Sequence, residues 1–242
     1  PTTGRVGPTR VAAPRAGFYA PTRHNESTFE KLLVLLGPLR LSVADNGRLH
    51  FKGSTWASKG GGLYREVGGD DRLVFRSGPG GRFYLATDGP TYQMLPADES
   101  LPVNLAVLGG FAVFALSALA LPVAALWRRL RRRPRPTSAR WRAARWTAVG
   151  ATTLGLAFLV GLGSVLFGDT GDFLYGPPAT FQALLVVPLG TLATAVAATV
   201  GTVVGWRGSG AGVAARVHQV ALLAAMVGLA WFLWQWNLIG WA

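Results

Sequence analysis

Four apolar segments constrain this chain more than any other feature. Residues 103–127, 147–168 and 181–206 contain no ionisable side chain, and residues 220–241 form a fourth run. About 20 apolar residues in a helix cross the hydrocarbon core of a bilayer, so each run is long enough. Backbone polar groups in lipid must be satisfied within the segment, which makes helices the solution for runs of this kind. Residues 101–242 therefore read as an α-helical four-span transmembrane bundle.

The loop between the first two runs gives the bundle a direction. It carries Arg128, Arg129, Arg131, Arg132, Arg133, Arg135, Arg140, Arg142 and Arg145, with no acid among them. Basic residues in a short loop beside membrane spans mark the cytoplasmic side. A run of this charge would also suit nucleic-acid phosphates, but its apolar flanks favour a topogenic role or contact with anionic lipid, with no nucleic-acid partner. The rest of the chain follows from this loop. The N-terminal part is extracytoplasmic, the loop holding Asp169 and Asp172 is outside, Arg207 and Arg216 are inside, and the fourth span ends outside. Trp127, Trp146 and Trp206 then fall at the inner interface and Trp234, Trp236 and Trp241 toward the outer one, where amphipathic rings anchor.

Within the spans, Ala193, Ala197, Gly201 and Gly205 recur every fourth residue and predict a strip for close helix packing. Ala151 with Gly155 and Ala157 with Gly161 offer shorter strips in the second span. Pro122 and Pro188 are candidate helix breaks. Ion relays place ionisable residues inside spans. Here the first three have none and His218 stands at the edge of the fourth, which argues against a transporter component.

The first hundred residues differ in character. Residues 1–16 contain three prolines and no periodicity, and read as a linker or the end of a missing upstream domain. Residues 17–100 read as an extracytoplasmic, small antiparallel β-rich, barrel-like domain with one short helix. Ser27-Thr-Phe-Glu30 is a capping box, and Phe29, Leu32, Leu33 and Leu36 share a helical face before Gly37-Pro38. Period-two alternation follows at Leu39, Leu41 and Val43, then Asn46-Gly47, then Leu49 and Phe51. Further strands are expected near residues 63–67, 73–76, 83–87 and 91–95, separated by glycine-rich turns. Ser54 and Ser58 fall in one such turn region.

Catalytic patterns are missing from these residues. The lysines are Lys31, Lys52 and Lys59, preceded at three residues' distance by Thr28, Leu49 and Trp56, so there is no Ser-x-x-Lys motif. Asp70-Asp71 and Asp98-Glu99 read as solvated turn acids. Gly210-Ala-Gly212-Val-Ala-Ala215 matches a dinucleotide fingerprint only loosely, and it lies between spans rather than after a strand. With no cysteine and with His24, His50 and His218 far apart, neither a metal nor another cofactor is expected.

Certain motifs occur in a suggestive order. They are residues 17–23 and 27–33, Leu41-Ser-Val43 with Asn46-Gly47, Arg72 to Arg76, Pro96 with Glu99-Ser100, Arg216-Val-His218, and Trp236-Asn-Leu238-Ile-Gly240. In that order they resemble the C-terminal region of bacterial membrane-bound serine hydrolases of the β-lactamase family, the class C and penicillin-binding-protein-like group. The resemblance implies an accessory domain and membrane anchor following a catalytic domain, with the lipid bilayer and an upstream catalytic domain of the same polypeptide as partners. The family's catalytic motifs are absent here. Lys59-Gly60-Gly61 is similar to its third motif, without the other two. The alternative is an extracytoplasmic ligand-binding or sensor module on a membrane bundle. A large pocket in the β domain would favour the sensor and a filled interior the anchor.

Overall fold

The computed structural model describes residues 10–23, 28–78, 81–131, 137–168 and 178–240, excepting the side chains of Arg10, Leu36 and Arg129. By their contacts the residues form two units, Pro1–Val103 and Asn104–Ala242.

The first unit is built from alternating side chains. Strands β2 (Gly17–Pro21), β3 (Leu39–Val43), β4 (Leu49–Phe51), β5 (Ser54–Gly60), β6 (Leu63–Glu66), β7 (Arg72–Ser77), β8 (Phe83–Thr87) and β9 (Thr91–Met94) each pair antiparallel with the next. Pairing of Tyr19 with Met94, Ala20 with Gln93 and Pro21 with Tyr92 joins β2 to β9, which closes an eight-stranded up-and-down barrel. Closure removes the open edges at which an antiparallel sheet would otherwise recruit another chain.

An eight-stranded barrel has an interior just wide enough for side chains to fill. Every strand sends at least one large residue into it. Tyr19, Leu41, Leu49, Phe51, Trp56, Tyr64, Leu73, Phe75, Phe83, Leu85 and Tyr92 form one buried cluster. Its rings meet edge to face, with Phe51 and Tyr92 centroids 5.3 Å apart and Tyr64 and Phe75 5.7 Å apart, the arrangement that ring quadrupoles favour.

The turns explain the register. At Asn46-Gly47, Gly47 has φ of 74° and the Asn46 side chain accepts from Arg48 N at 3.0 Å. Between β4 and β5, Lys52 and Gly53 both have positive φ, 54° and 81°, as a two-residue type I′ hairpin requires. The short helix lies between β2 and β3, as a 3-10 turn over Phe29–Leu32 that runs into α1 (Leu33–Leu36). Thr28 caps it, accepting from Glu30 N at 3.3 Å. Ser27, the expected cap, lies outside the described residues.

Two features depart from the sequence reading. In the stretch read as a linker, β1 (Arg10–Val11) pairs with β7 beyond the point where β6 stops. Residues 54–60, expected as a turn region, are a strand with Trp56 as its inward anchor. Lys59 and Gly60 end that strand, and Gly60, Gly61 and Gly62 all have positive φ in the turn that follows.

Four helical segments of the second part of the chain are long and apolar enough to cross a membrane: Leu101–Arg128, Ala139–Leu166, Ala179–Gly205 and Val213–Gln235. Two are interrupted near the prolines singled out in the sequence. Helix α2 (Leu101–Ala118) gives way to α3 (Ala120–Leu130) at Leu119, three residues before Pro122. Helix α5 (Ala179–Leu184) gives way to α6 (Val187–Gly205), whose first turn contains Pro188. In each case the pyrrolidine nitrogen has no proton for the carbonyl four residues earlier. Helices α4 (Ala139–Leu166) and α7 (Val213–Gln235) run without interruption.

Among the buried positions on α4, Trp141, Ala144, Ala148, Ala151, Gly155, Phe158 and Leu162 follow alternating steps of three and four, with Val149 and Thr152 buried beside them. Those on α6 are Pro188, Thr191, Ala198, Thr202 and Gly205, on the same rhythm. A repeat averaging 3.5 keeps two helices in contact along their length, and α4 and α6 pack together extensively. Threonine hydroxyls in this seam donate to their own helix, as Thr202 Oγ1 does to Ala198 O at 2.7 Å.

Candidate functional site

A polar layer crosses the bundle where α4 and α7 begin and α6 ends. Beneath it lies an apolar layer of Ala118, Ala148, Val149, Ala198 and Leu222. The polar residues are Ser117 on α2, Trp141 and Arg145 on α4, Thr202 and Trp206 at the end of α6, and Arg216, His218 and Gln219 on α7. The 206–212 connection contributes Ser209, which is fully buried. Gly208 and Gly210, at φ of 68° and 64°, turn the chain on either side of it.

Hydrogen bonds fix several orientations in this layer. Ser138 N donates to Ser209 O at 2.9 Å, and the Ser138 hydroxyl caps α4 by accepting from Trp141 N at 3.3 Å. Arg216 Nη2 donates to Ser209 Oγ at 3.0 Å, and its guanidinium lies 5.3 Å from the Trp206 ring centroid. Trp206 in turn meets Trp141 edge-on at 5.8 Å. Ser117 Oγ donates to Phe114 O at 2.6 Å, so it can only accept from His218 Nε2, 2.8 Å away. By the same logic Thr202 Oγ1, already a donor to Ala198 O, accepts from Gln219 Nε2 at 3.0 Å.

What remains unsatisfied is mostly nitrogen. Trp141 Nε1, Arg145 Nε and Arg216 Nε are donors buried without a partner among the described residues, and so are two acceptors, Gln219 Oε1 and the Nδ1 of the neutral His218 ring. Buried polar groups without partners are rare enough to require an explanation.

The nine arginines are placed unequally around this layer. Arg128 and Arg140 are exposed, and Arg131 is exposed with its guanidinium 4.1 Å over the Trp127 ring. Arg142 Nη1 donates to Thr137 O at 2.5 Å. Arg145 alone among the described arginines of the loop has a buried nitrogen without a partner, and it lies within electrostatic reach of Arg128 and His218. The side chain of Arg129, and Arg132, Arg133 and Arg135, lie outside the described residues, as do Asp169, Asp172 and Trp241.

Two residues of the small-residue strip on α6 lie close against α4. A Cβ at Gly201 would stand 3.2 Å from Ala144 Cβ, and one at Gly205 would stand 3.1 Å from Trp141 N. Ala193 and Ala197, by contrast, are exposed. Four residues turn a helix by about 400°, so a strict four-residue strip drifts around the axis by about 40° per step. Two steps from Gly205, at Ala197, it has left the seam. Ala151 and Gly155 do face the bundle, and a Cβ at Gly155 would meet Phe111 and Leu229 at 2.8 Å.

Trp236 corrects another expectation. It is fully buried rather than interfacial, and its indole N–H donates to Asn104 Oδ1 at 2.8 Å. Trp127, Trp146 and Trp234 are exposed, as anchors would be.

On the barrel, a groove of about 540 Å³ is lined by residues including Arg15, Lys31, Arg82, Phe83, Met94 and Glu99, and Lys31 Nζ pairs with Glu99 Oε1 at 2.9 Å within it. It is open to solvent, unlike the enclosed pockets typical of small-molecule sites. No group of three potential metal ligands occurs among the described residues. No known protein family, curated protein or solved structure matches the chain.

Proposed function

We propose that this chain is the membrane anchor and accessory domain of a β-lactamase-related serine hydrolase whose catalytic domain belongs to the same polypeptide. The observation that carries the reading is the filled barrel. Eleven buried side chains, seven of them aromatic, occupy the interior where a sensor of small molecules would keep a chamber. The barrel then serves as a rigid module on a bundle with four helices of membrane-crossing length. The order of motifs from Gly17 to Gly240 supports the hydrolase relationship, and the absence of Ser-x-x-Lys agrees with a division of labour in which this portion does no chemistry. The arginine loop supports a cytoplasmic position for residues 128–145, with the barrel and the catalytic domain on the opposite face of the membrane in this reading.

The test uses a fluorescent fluorophosphonate on membranes from cells that produce the complete reading frame. One membrane-bound polypeptide containing this chain should be labelled, and deletion of residues 101–242 should release the labelled product into the soluble fraction. Residues 1–242 alone should stay unlabelled. Stoichiometric labelling of a serine within residues 1–242 would overturn the anchor reading, and a reading frame lacking any nucleophilic serine would overturn the hydrolase.

A further inference from the structure

The groove of about 540 Å³ lies at one end of the barrel, where β8 begins and β9 ends. Part of its wall is apolar, because Phe83 opens β8, Met94 closes β9 and Leu95 follows it. Its charges are unequal. Arg15, Lys31 and Arg82 line the groove against the carboxylate of Glu99 alone, and Lys31 pairs with that carboxylate at 2.9 Å. The side chains of this pair are only 16% and 20% exposed, so the two form a neutral stretch of wall. Arg15 and Arg82 are exposed, and neither pairs with a carboxylate among the described residues.

One ring brings the two arginines together. The Arg15 guanidinium lies over Phe83, 4.8 Å from its centroid, and Arg82 is the residue before that phenylalanine. Each arginine is also held by its backbone. Arg15 O accepts from the hydroxyl of the buried Tyr19 at 2.8 Å, and Arg82 O accepts from Gly78 N at 2.9 Å across the turn between β7 and β8. A guanidinium held on a ring has less freedom to lose on binding, and its planar fork donates two parallel hydrogen bonds to a carboxylate. The open shape of the groove suits a length of peptide better than an enclosed small molecule. Recognition of acidic motifs by paired arginines is a recurrent way of binding such a segment.

We propose that this groove docks an acidic peptide segment of another protein, with a carboxylate on Arg15 and Arg82 and a neighbouring apolar side chain against Phe83 and Met94. The site does not depend on the hydrolase relationship, since every residue that lines it belongs to the barrel unit.

Fluorescence anisotropy of the full chain in neutral detergent tests it, with a fluorescein-labelled hexapeptide of alternating glutamate and leucine as the probe. Binding should saturate at one peptide per chain, and the same peptide with glutamine for glutamate should bind at least about fivefold more weakly. Arg15→Gln and Arg82→Gln should each weaken the glutamate peptide by about fivefold or more. The arginine loop is the competing basic surface, so Arg128→Gln and Arg140→Gln, both exposed there, should bind like the parent chain. All four substitutions lie on exposed side chains and should leave the melting temperature close to that of the parent. Photocrosslinking of the parent chain locates the peptide without any substitution. With a benzophenone in place of one leucine, the adduct should fall on residues 93–97. Unsaturable binding, equal binding of the glutamine peptide, equal losses in the loop variants, or an adduct within residues 128–145 would each overturn the proposal.

Discussion

Tyr19 shows how much a single side chain can hold in the barrel. It is fully buried, packs edge to face on Phe51 with centroids 6.3 Å apart, and donates its hydroxyl proton to Arg15 O at 2.8 Å. Burial holds the phenol well above its ordinary value, and the nearby Arg15 charge offsets only part of that. The folded chain therefore keeps a proton that the unfolded chain releases above about pH 10. The resulting stability is fully present below that pH and is lost as pH rises toward the folded value. Tyr19→Phe should cost about 0.5–1.5 kcal/mol at neutral pH through the lost hydrogen bond. It should also flatten the decline above pH 10. Urea unfolding of the chain in micelles, followed by near-UV circular dichroism at pH 7 and pH 10.5, measures both effects. An unchanged alkaline slope would show that another group causes the decline.

Elements were readable in the sequence where a local pattern decides them. Leu39, Leu41 and Val43 alternate toward Asn46-Gly47, so β3 and β4 announce themselves. Strand β5 hides because only Trp56 faces the core and glycines stand on both sides of it. The closure of β2 on β9 joins residues about seventy positions apart, which no local periodicity records. Helix packing shows the same limit. Small residues recur at spacing four through Ala193, Ala197, Gly201 and Gly205, whereas the seam follows alternating threes and fours through Thr191, Ala198, Thr202 and Gly205. The arginines of the candidate site were plain in the sequence, but the layer was not, because Ser117, Trp141, Ser209 and Gln219 come together only on folding. These positions make a paired prediction. Gly205→Leu drives a side chain against the α4 backbone and should destabilise the bundle by about 1–3 kcal/mol. Ala197→Leu, on an exposed face, should stay within about 0.5 kcal/mol of the parent. Unfolding of the two variants in mixed micelles compares them directly, and equal losses would contradict the seam.

For the whole molecule, charge and apolarity are partitioned along the chain. Eleven arginines and two acids occupy residues 102–242, against a near balance of 13 basic and 9 acidic residues in 1–101, so the net charge of +13 is mostly loop charge beside the spans. On the proposed reading, the filled barrel and the four membrane-length helices form one anchoring device, with its orientation set by the arginine loop. The chain has no cysteine, which allows a single introduced thiol to report the side of the membrane without background. The decisive measurement is labelling of intact cells with a membrane-impermeant maleimide. Asp45→Cys, exposed in the β3–β4 turn, should be labelled at once, and Ala139→Cys, exposed at the start of α4, should be labelled only after the membrane is permeabilised. Labelling of Ala139→Cys in intact cells with protection of Asp45→Cys would reverse the orientation, and labelling of both would contradict the first membrane crossing itself.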